Sequence, residues 1–557
     1  MDFTTVKAVV NDLNGRILPS RFEKAQQADG QTLQLGFRTL QGMVWLELSW
    51  KADCPRLTQI PAPPKQGSGS TLAQQTQHSL RQLALVAIAQ EGFERVVSFH
   101  FASRPGDPVQ RQLVLELMGR HSNLLLLDER HKVIAIGRQV RDHQSRVRPI
   151  STGDPYAPPP PLQGRPPEDS ESFERWRQRL SLLPLSLAKA LPQAYQGISP
   201  ALARQLAGEL VKRSVDSLSA DEWLHLHTQW LRWLACLKNN RFALHCTDAT
   251  TYQVWGEPRR MADANDNAPL SLALGRLYRD HLQNRELQRQ SDELRQQLAV
   301  ARQREQEQLQ EQENRLQATE NADALQQQAD GLLCLAAPSR KDIDASQTLY
   351  RRAKKLRRAI PQLEERIRHH QQRLSMIDGS EAFLDDVLAT DWDRSDERIS
   401  RLNALQLEAK DLLAPRQRRQ TNRGNPRPTP QPLELQSPGG LIIQVGRNHR
   451  QNDRISLRLA RAGDLWFHAQ ECPGSHVVLK ASNGLAEDSD LTLATDLAAF
   501  FSRARGNRRV PVVMVPVEQL QRIVGAGPGT VRHQGGSVRW GEPERAQQQL
   551  KAGELLA

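Results

Sequence analysis

The most constraining feature of this chain is a run of apolar residues spaced mostly four and three apart. Its members are Leu349, Ala353, Leu356, Ile360, Leu363, Ile367, Leu374 and Ile377. Such heptad spacing places one apolar stripe along one face of a helix and predicts a coiled coil. A looser run of the same kind lies upstream, at Leu287, Leu294, Leu298, Ala301, Leu309 and Leu316. We therefore expect a long helical arm over residues 270–413.

The break between the two runs indicates that they pair within one chain. Gly331 and Pro338 interrupt the helical pattern, and about 15 residues, 331–345, connect the two runs. Two helices with facing stripes and a short connection fold back most simply into an antiparallel pair. A plain spacer and a dimer along the same heptads are the alternatives. Because Pro361 lacks a backbone donor, we predict either a bend near Ile360 or a helix start at Pro361.

The composition favours a multidomain protein with a polyanionic partner. The chain has 557 residues, enough for three or four domains, and a net charge of +12. Such a charge is typical of nucleic-acid binding, and 61 of the 75 basic residues are arginine, which forks onto phosphate. A genome that prefers arginine codons would explain the arginine excess equally well.

Several classes of protein are disfavoured. The five cysteines are scattered without short spacings, which indicates reduced thiols instead of disulfides or a zinc site. No run approaches the 18 apolar residues of a membrane span, and the first residues lack an export signal. We therefore expect a cytoplasmic protein without a membrane partner.

The first 168 residues predict a mixed α/β domain. The pattern indicates helices at 6–13 and 72–90 and strands at 33–37, 44–48, 95–101, 112–117 and 133–137. Residues 154–168 contain seven prolines and predict a linker. Within this domain, the sequence ELMGRHSNLLLLD (116–128) predicts two apolar strands joined by a polar turn, 119–123. That turn fits a plain hairpin or one that contacts a phosphate.

Residues 169–240 predict a helical module. Gly197 should end one helix, Ser199 can cap the next, and Pro200 is tolerated in its first turn. This pattern indicates a helix-hairpin-helix, whose turn offers backbone amides to a phosphate, although an ordinary helical turn fits equally well. Residues 241–269 predict a short β return to the N-terminal domain.

The chain beyond the arm divides into three parts. Residues 414–433 predict a basic, proline-rich linker with arginines at 416, 418, 419, 423 and 427. Residues 434–545 predict a second α/β domain, with strands at 441–445, 464–468, 476–479 and 510–515, a helix at 491–505 and a polar loop at 446–453. Residues 546–557 form a tail.

No catalytic or metal-binding pattern is evident. His468 and His476 are eight residues apart without a carboxylate at ligand spacing, so we expect no metal. There is no GxSxG, no Walker loop and no GxGxxG in a βαβ setting. We therefore expect neither a cofactor nor an enzymatic activity.

Four motifs in order resemble the NFACT family (RqcH/NEMF proteins) of ribosome-associated quality control, long described as fibronectin-binding. They are ELMGRHSNLLLLD at 116–128, QGISP at 196–200, SPGGLIIQVGRNHRQND at 437–453 and DLWFHAQECPGSHVVLKAS at 464–482. The resemblance covers nearly the whole chain, with a coiled coil in the expected gap. It implies an α+β multidomain fold: a mixed α/β N-terminal domain, a helix-hairpin-helix module, a long antiparallel coiled-coil arm and an α/β C-terminal NFACT-R domain.

The resemblance also implies a function. Family members bind a large ribosomal subunit, and its rRNA, when peptidyl-tRNA blocks the exit tunnel. The arm reaches along the subunit while the N-terminal and helix-hairpin-helix modules hold tRNA. In bacteria they recruit alanyl-tRNA and extend the stalled chain with alanine, which marks it for degradation. Ribosomal RNA makes the peptide bond, and we expect the protein to act as a monomer.

The site residues follow from the same resemblance. The implied tRNA-binding residues are Asp2, Glu94, Arg95, Arg120, His121, Ser122 and Asn123. The hairpin residues implied to contact nucleic-acid backbone are Gln196, Gly197 and Ser199. The matching C-terminal residues are Arg447, Asn448, Asp464, Trp466, His468, Pro473, Gly474, Ser475 and His476.

The chain departs from the family pattern at three places. Glu94 stands where the family has aspartate. The added methylene moves the carboxylate, and we expect this to affect alanine tailing more than tRNA binding. The tip of the arm is shorter than in relatives that carry a β-containing insertion. Residues 524–529 read VGAGPG where relatives tend to have lysines, so one basic contact is expected to be lost.

Two other classes compete with this interpretation. The N-terminal domain followed by a helix-hairpin-helix also resembles the organisation of certain DNA glycosylases. Those enzymes need a nucleophilic N-terminal proline, whereas this chain begins Met1-Asp2. An adhesin is disfavoured by the missing export signal and the basic composition.

Overall fold

The protein is described from a computed structural model. The structure describes residues 1–65, 69–141, 148–246, 251–256, 268–336, 338–390, 395–413, 431–523 and 525–552. The arginines of the predicted basic linker lie outside the described residues. The chain forms two compact units, Met1–His281 and Leu282–Ala557, which are treated separately. The domain boundaries drawn from the sequence stay a prediction. No helix in the described part of the chain has the length and apolarity of a membrane span.

The first unit is built on a nine-stranded antiparallel sheet. Helix α1 spans Phe3–Ile17 and α2 spans Thr71–Ser79. The strands are β1 Ser20–Asp29, β2 Thr32–Thr39, β3 Gly42–Ser49, β4 Arg56–Ile60, β5 Ala84–Ala89, β6 Val96–Ala102, β7 Arg111–Glu116, β8 Asn123–Leu127 and β9 Val133–Ile136. Their order is β4-β3-β2-β1-β5-β6-β7-β8-β9. Every residue of β8 is buried, which matches its uninterrupted leucines.

The predicted helix at 72–90 was wrong in its second half. Helix α2 ends at Ser79, Gln82 has a positive φ of 69°, and residues 84–89 form β5 between β1 and β6. A run of alanine, leucine, valine and isoleucine is compatible with a helix or a buried strand. Pairing with two neighbouring strands decides the outcome here, and no local pattern reports such pairing.

A helical module packs around buried tryptophans in the same unit. It contains α3 Phe173–Leu180, α4 Leu187–Ala194, α5 Pro200–Ala207 and α6 Ala220–Asn239. Trp176, Trp223, Trp230 and Trp233 are almost completely buried, and Trp176 meets Trp223 edge-on at 5.8 Å between ring centroids. The indole nitrogen of Trp233 donates to Thr4 Oγ1 at 3.0 Å, which ties the module to α1. The short strands β10 His245–Cys246 and β11 Tyr252–Gln253 follow.

The proline-rich segment 154–168 is not a free linker. Pro155 pairs with Lys132 in an isolated bridge at one end, and Arg165 pairs with Tyr195 at the other. The side-chain amide of Gln196 donates to the carbonyls of Leu162 and Gly164, both at 3.1 Å. The proline content predicts an extended chain, and here that extended chain is held against the sheet at one end and against the helical module at the other.

The second unit contains the arm, and its antiparallel pairing is confirmed. The helices are α7 Leu270–Gln317, α8 Asn321–Leu333, α9 Arg340–Ala389 and α10 Ser395–Leu413, with the start of α7 belonging to the first unit. Arg357 on α9 contacts Asp323 at 2.6 Å, whereas Asp385 further along α9 contacts Arg295 at 3.0 Å. The partner number falls as the α9 number rises, so the two arms run in opposite directions.

The helix breaks differ from those predicted. Gly331 lies inside α8, and α9 begins at Arg340 after a Ser339–Asp342 capping box. The helix start predicted at Pro361 was wrong, because α9 continues through it. Proline removes one backbone hydrogen bond. The apolar contacts of Ala353 and Leu363 on either side, both buried, hold the helix together across that position.

The C-terminal domain is a six-stranded antiparallel sheet with helices. Its elements are β12 Leu433–Gln436, β13 Ile442–Val445, α11 His449–Leu457, β14 Leu465–Ala469, β15 Val477–Leu479, α12 Asp488–Phe500, β16 Val510–Pro516, β17 Leu520–Arg522, β18 Val531–His533, β19 Ser537–Gly541 and α13 Pro543–Ala552. The sheet order is β12-β13-β15-β14-β16-β19. The predicted loop 446–453 was wrong in part, because Asn448 caps α11 by accepting from Gln451 N at 2.8 Å.

One buried carboxylate fastens this domain to the arm. Asp386 on α9 contacts Arg401 of α10, Arg447 at 3.3 Å and Arg505 at 3.7 Å. Burial alone would raise the pKa of Asp386, but Arg447, Arg401 and Arg505 reverse this and hold it below the usual 3.8. Nearby, the Glu408 carboxylate of α10 accepts the first two amides of α11 at 3.2 and 2.8 Å.

Replacing Asp386 by asparagine should destabilise the second unit by about 3–5 kcal/mol, because three guanidinium groups lose their buried counter-charge. Urea unfolding checks this. The matched change Asp385→Asn removes an exposed carboxylate on the same helix and should cost less than about 0.5 kcal/mol. Since folding lowers the Asp386 pKa, the difference in unfolding free energy between the wild type and Asp386→Asn should be constant above about pH 5 and shrink below pH 4. Equal effects of the two substitutions would contradict the role given to Asp386.

Candidate nucleic-acid interface

A cavity of about 560 Å³ lies in the first unit. It is bordered by the segment before β6, the turn between β7 and β8, the proline-rich segment and the turn between α4 and α5. The sequence-predicted residues that line it are Glu94, Arg95, His121, Ser122, Asn123, Gly197 and Ser199. We call it the N-terminal cavity. Asp2, Arg120 and Gln196 are chain neighbours of its lining residues, so residues far apart in sequence converge on one place.

Arg95 provides a cation at this cavity. Its side chain is half-buried, and within the described part of the chain it has no hydrogen-bond or ion-pair partner. Burial lowers the pKa of the Arg95 guanidinium, while the carboxylates of Asp2 and Glu94 oppose that shift. Arginine still carries its charge at neutral pH, since its ordinary pKa is above 12. The guanidinium is therefore available to an anionic or carbonyl-bearing ligand.

Glu94 and Asp2 have structural contacts as well as charge. One carboxylate oxygen of Glu94 accepts the Leu162 amide at 3.2 Å, which holds the proline-rich wall of the cavity in place. Asp2 caps α1, because its carboxylate accepts the Thr5 amide at 2.8 Å. The sequence resemblance assigned both to tRNA binding, and that assignment stays a prediction.

The turn between β7 and β8 contains two buried side chains that stabilise the turn and two exposed side chains that project from it. Ser122 and Asn123 are buried: the Ser122 hydroxyl accepts the Met118 amide at 2.8 Å, and the Asn123 side chain bonds both main-chain groups of Arg138. Arg120 and His121 are exposed, and Arg120 Nε donates to His121 Nε2 at 3.1 Å. The two projecting side chains are the ones that can reach a ligand.

A buried ion pair beside this turn was missed from the sequence. Arg148 donates two hydrogen bonds to Glu116, at 2.9 and 2.6 Å, and the Tyr156 hydroxyl bonds the same carboxylate at 3.1 Å. Burial, and then the Glu116 charge, raise the pKa of Tyr156 well above 10. Glu116 is the last residue of an apolar strand and is buried, so its carboxylate needs a partner. The pairing itself joins residues 32 apart, which no local pattern reveals.

The α4–α5 turn confirms the predicted capping pattern and offers free donors. Ser199 caps α5 by accepting the Leu202 amide at 3.0 Å, and Pro200 occupies its first turn. The amides of Gly197, Ile198 and Ser199 donate no hydrogen bond to any described residue, and all three residues line the cavity. The start of a helix carries a partial positive charge. These amides and the Arg95 guanidinium therefore offer hydrogen-bond donors to one space, which the Glu94 carboxylate also borders.

Gly197 has a φ of +76°, and a Cβ there would lie 3.1 Å from a ring carbon of Phe93. Both the backbone conformation and the close approach of Phe93 therefore favour glycine. We expect Gly197→Ala to destabilise the turn by about 1–3 kcal/mol.

Hydrogen exchange of residues 195–202 and urea unfolding measure this effect. The matched change Gly331→Ala lies in α8 with no neighbour near its added Cβ, and it should stabilise its helix by up to about 1 kcal/mol. Unchanged exchange at the α4–α5 turn in Gly197→Ala would contradict the packing argument.

Three C-terminal motif residues have structural contacts, within the domain or with the arm. Asp464 is completely buried and binds Lys480 Nζ at 3.0 Å, the Ser482 hydroxyl at 2.6 Å and the Arg461 amide at 2.9 Å. Burial opposes its ionisation, but these hydrogen bonds lower its pKa. Asn448 caps α11, and Arg447 contacts Asp386 and lies over the Phe501 ring.

The other C-terminal motif residues form an aromatic group and a tight turn. Trp466 and His468 stack at 5.5 Å and 11°, and the His476 ring meets both of them edge-on. Burial lowers the pKa of His468 to about 4, so this imidazole is neutral at pH 7. Pro473, Gly474 and Ser475 form the turn, in which a Cβ on Gly474 would lie 2.9 Å from Ser502. Among the described residues, no three histidine, cysteine or acidic side chains are grouped as metal ligands.

The described helices and sheets form a multidomain protein, and a family match places its C-terminal domain in an RNA-binding class. Residues 433–535 match the family domain described as the NFACT protein RNA binding domain, and residues 2–345 match the NFACT N-terminal and middle domains. The chain belongs to the NFACT family.

Relatives similar over most of their length carry the name Rqc2 homolog RqcH. The Bacillus subtilis protein is 25% identical over 485 residues, which cover 80% of each chain. The Streptococcus pneumoniae protein (strain D39) is 26% identical over 565 residues, or 95% of each. A solved C-terminal part of the fibronectin/fibrinogen-binding protein of Streptococcus suis, 26% identical, has a TM-score of 0.38 and covers 47% of this chain and 98% of that one. Its N-terminal counterpart is 23% identical with a TM-score of 0.38, covering 50% and 99%.

Proposed function

We propose that this protein is a cytoplasmic ribosome quality control factor. It binds an obstructed large ribosomal subunit that carries peptidyl-tRNA and recruits a further tRNA, alanyl-tRNA, for mRNA-independent alanine tailing of the stalled chain. The observation that carries the tRNA-binding part is the N-terminal cavity, where the Arg95 guanidinium, without a hydrogen-bond partner among the described residues, and the unbonded amides of the α4–α5 turn line one space. Relatives named RqcH and the matched RNA-binding domain support the ribosomal setting.

The chemistry of the cavity suits an RNA element. A phosphate binds well to arginine and to the amides at a helix start, which together offer charge and directed donors. The apolar side chains of Phe3, Phe93 and Leu162 line the same space and can contact a base or ribose. The volume of about 560 Å³ fits a nucleotide-sized group, so the cavity would hold part of a loop while exposed Arg120 and His121 contact its backbone.

We further propose that the protein positions substrates while ribosomal RNA makes the peptide bond. The Ser122 hydroxyl at the cavity is buried and accepts a main-chain amide, so it is committed to the turn. His121 is engaged by Arg120 at its Nε2 atom. Neither side chain is arranged as a nucleophile with its base, and this supports a binding role.

A second candidate is a tRNA- and rRNA-binding rescue factor without tailing. The observation that favours it is Glu94, whose carboxylate is longer than the family's aspartate and is already bonded to the Leu162 amide. A carboxylate held by the cavity wall is less free to read a ribose hydroxyl or a base edge. Binding through Arg95 would persist in this case.

The central test is to purify the tagged protein from its own cells and sequence the bound RNA. We expect enrichment of both large-subunit rRNA and tRNA, and the absence of both would refute the proposal. A stalled translation reporter then separates the two candidates. Alanine at its C-terminus that depends on this protein supports tailing, whereas RNA enrichment without a tail supports the rescue factor.

The double substitution Arg95→Ala and Arg120→Ala should reduce tRNA recovery by about tenfold or more, with a smaller loss of large-subunit rRNA, because both guanidinium groups lie at or beside the N-terminal cavity. Sequencing of the co-purified RNA measures both. The control pair Arg104→Ala and Arg130→Ala removes two exposed arginines from the turns at the opposite ends of the same strands. Equal loss of tRNA and rRNA in the first variant, or equal loss in both variants, would show that these positions do not select tRNA.

A further inference from the structure

One side of helix α11 presents a row of arginines. Arg450, Arg454 and the helix C-cap Arg458 are spaced four apart, which places them on one face. The opposite face of the helix is buried in the domain. Arg450 is neutralised by an ion pair with Asp411 of α10. The Arg454 side chain donates to the neutral side chain of Gln431 at 3.0 Å, and within the described chain it has no ion-pair partner.

A buried carboxylate joins two of the domain's arginines from different elements. One oxygen of Asp453 on α11 lies 3.5 Å from Arg458 Nε, and the other contacts Arg522 of β17. The Arg458 and Arg522 side chains are nevertheless 72% and 58% exposed. A guanidinium has five N–H donors, and a single carboxylate occupies few of them. Most donors of both side chains therefore remain available to a ligand.

These contacts leave an excess of positive charge on one surface. The β17–β18 hairpin packs against α11, so arginines of both elements lie together. We define the α11–β17 cluster as Arg454, Arg458 and Arg522. Asp453 is the one acid that contacts it among the described residues, so three cations face one anion. Glu518, on the turn before β17, accepts the Gly463 amide at 2.6 Å.

The chemistry of the α11–β17 cluster favours a phosphate backbone as its ligand. The cluster lies within residues 433–535, the range that matches the RNA-binding domain of the family. Arginine binds phosphate through two parallel N–H donors. Neither α11 nor the strands β17 and β18 contain phenylalanine, tyrosine or tryptophan, the large rings on which unpaired bases stack. Contacts to phosphate position an RNA without reading its sequence.

We propose that the α11–β17 cluster is the surface through which the C-terminal domain binds RNA, by its phosphates and without selecting a sequence. This inference deepens the proposed function, and it rests on the RNA-binding class of the domain, not on the N-terminal cavity. An acidic protein surface is the competing partner, because it presents charge of the same sign. The match of this domain to an RNA-binding family decides in favour of RNA.

The test measures binding of a fluorescein-labelled RNA duplex of about 16 base pairs to the full-length protein by anisotropy. Base pairing withdraws the base edges, so the duplex reports contacts to the backbone. The parent protein carries Arg95→Ala and Arg120→Ala, which removes two cations at or beside the N-terminal cavity. In this parent, Arg454→Ala with Arg522→Ala should weaken binding by about tenfold or more. The slope of log Kd against log salt should fall by about one for each arginine removed.

The matched control is Arg532→Ala, on the same hairpin. Arg522 pairs with Val531, and Arg532 is the next residue along β18. Directly paired residues project to one side of a sheet and adjacent residues to opposite sides, so Arg532 projects away from Arg522. Arg532 is exposed, and its replacement should leave duplex binding like that of the parent.

Two further variants separate binding from folding. Arg454→Ala leaves both cations that contact Asp453 in place, so it should weaken duplex binding while the urea unfolding midpoint stays unchanged. Arg522→Lys keeps the charge and should bind more tightly than Arg522→Ala. Parent-like affinity in the double variant, equal loss in Arg532→Ala, or displacement of the duplex by polyglutamate at the same concentration of charge would overturn the inference. None of these outcomes changes the tRNA recovery expected for the N-terminal cavity, so the two proposals fail separately.

Discussion

The second unit depends on one buried negative charge. Asp386 is 2% exposed and faces guanidinium groups from α10 and from two segments of the C-terminal domain. Burying ions is expensive, so such a cluster persists only where every member keeps its partner. Glu408 adds to the same junction by accepting the first amides of α11. Directional charged contacts of this kind set one orientation of the RNA-binding domain on the arm, which apolar packing alone specifies less strictly.

The first unit uses its arginines in two different ways. Arg148 is paired with Glu116, whose carboxylate also bonds the Tyr156 hydroxyl, and this pair stabilises the wall beneath the β7–β8 turn. Arg95 lies in the same cavity without a partner among the described residues. The two arginines therefore differ in what their removal would cost. Removing Arg148 would leave a buried carboxylate uncompensated, whereas the Arg95 guanidinium interacts with Asp2 and Glu94 through charge without a hydrogen bond to either.

Much of this fold follows from local pattern, and the failures share one cause. The heptads between Leu349 and Ile377 predict the arm, and the GISP sequence predicts the Ser199 cap, because both are encoded within a few turns. Residues 84–89 were misassigned because strand pairing decided their conformation. The helix start predicted at Pro361 was wrong because packing holds the helix on both sides of one missing donor, and the alternative bend near Ile360 stays a prediction. The motifs predict which residues meet at the N-terminal cavity, but the division between structural Ser122 and Asn123 and projecting Arg120 and His121 requires the folded turn.

The RNA contact proposed at the N-terminal cavity is governed by charge. A guanidinium and backbone amides there would bind a phosphate, and this binding would release counterions from the RNA. Counterion release becomes less favourable as the salt concentration rises, so the proposed binding should weaken steeply with salt. Because a phosphate is present in every nucleotide, the cavity would hold an RNA by its backbone.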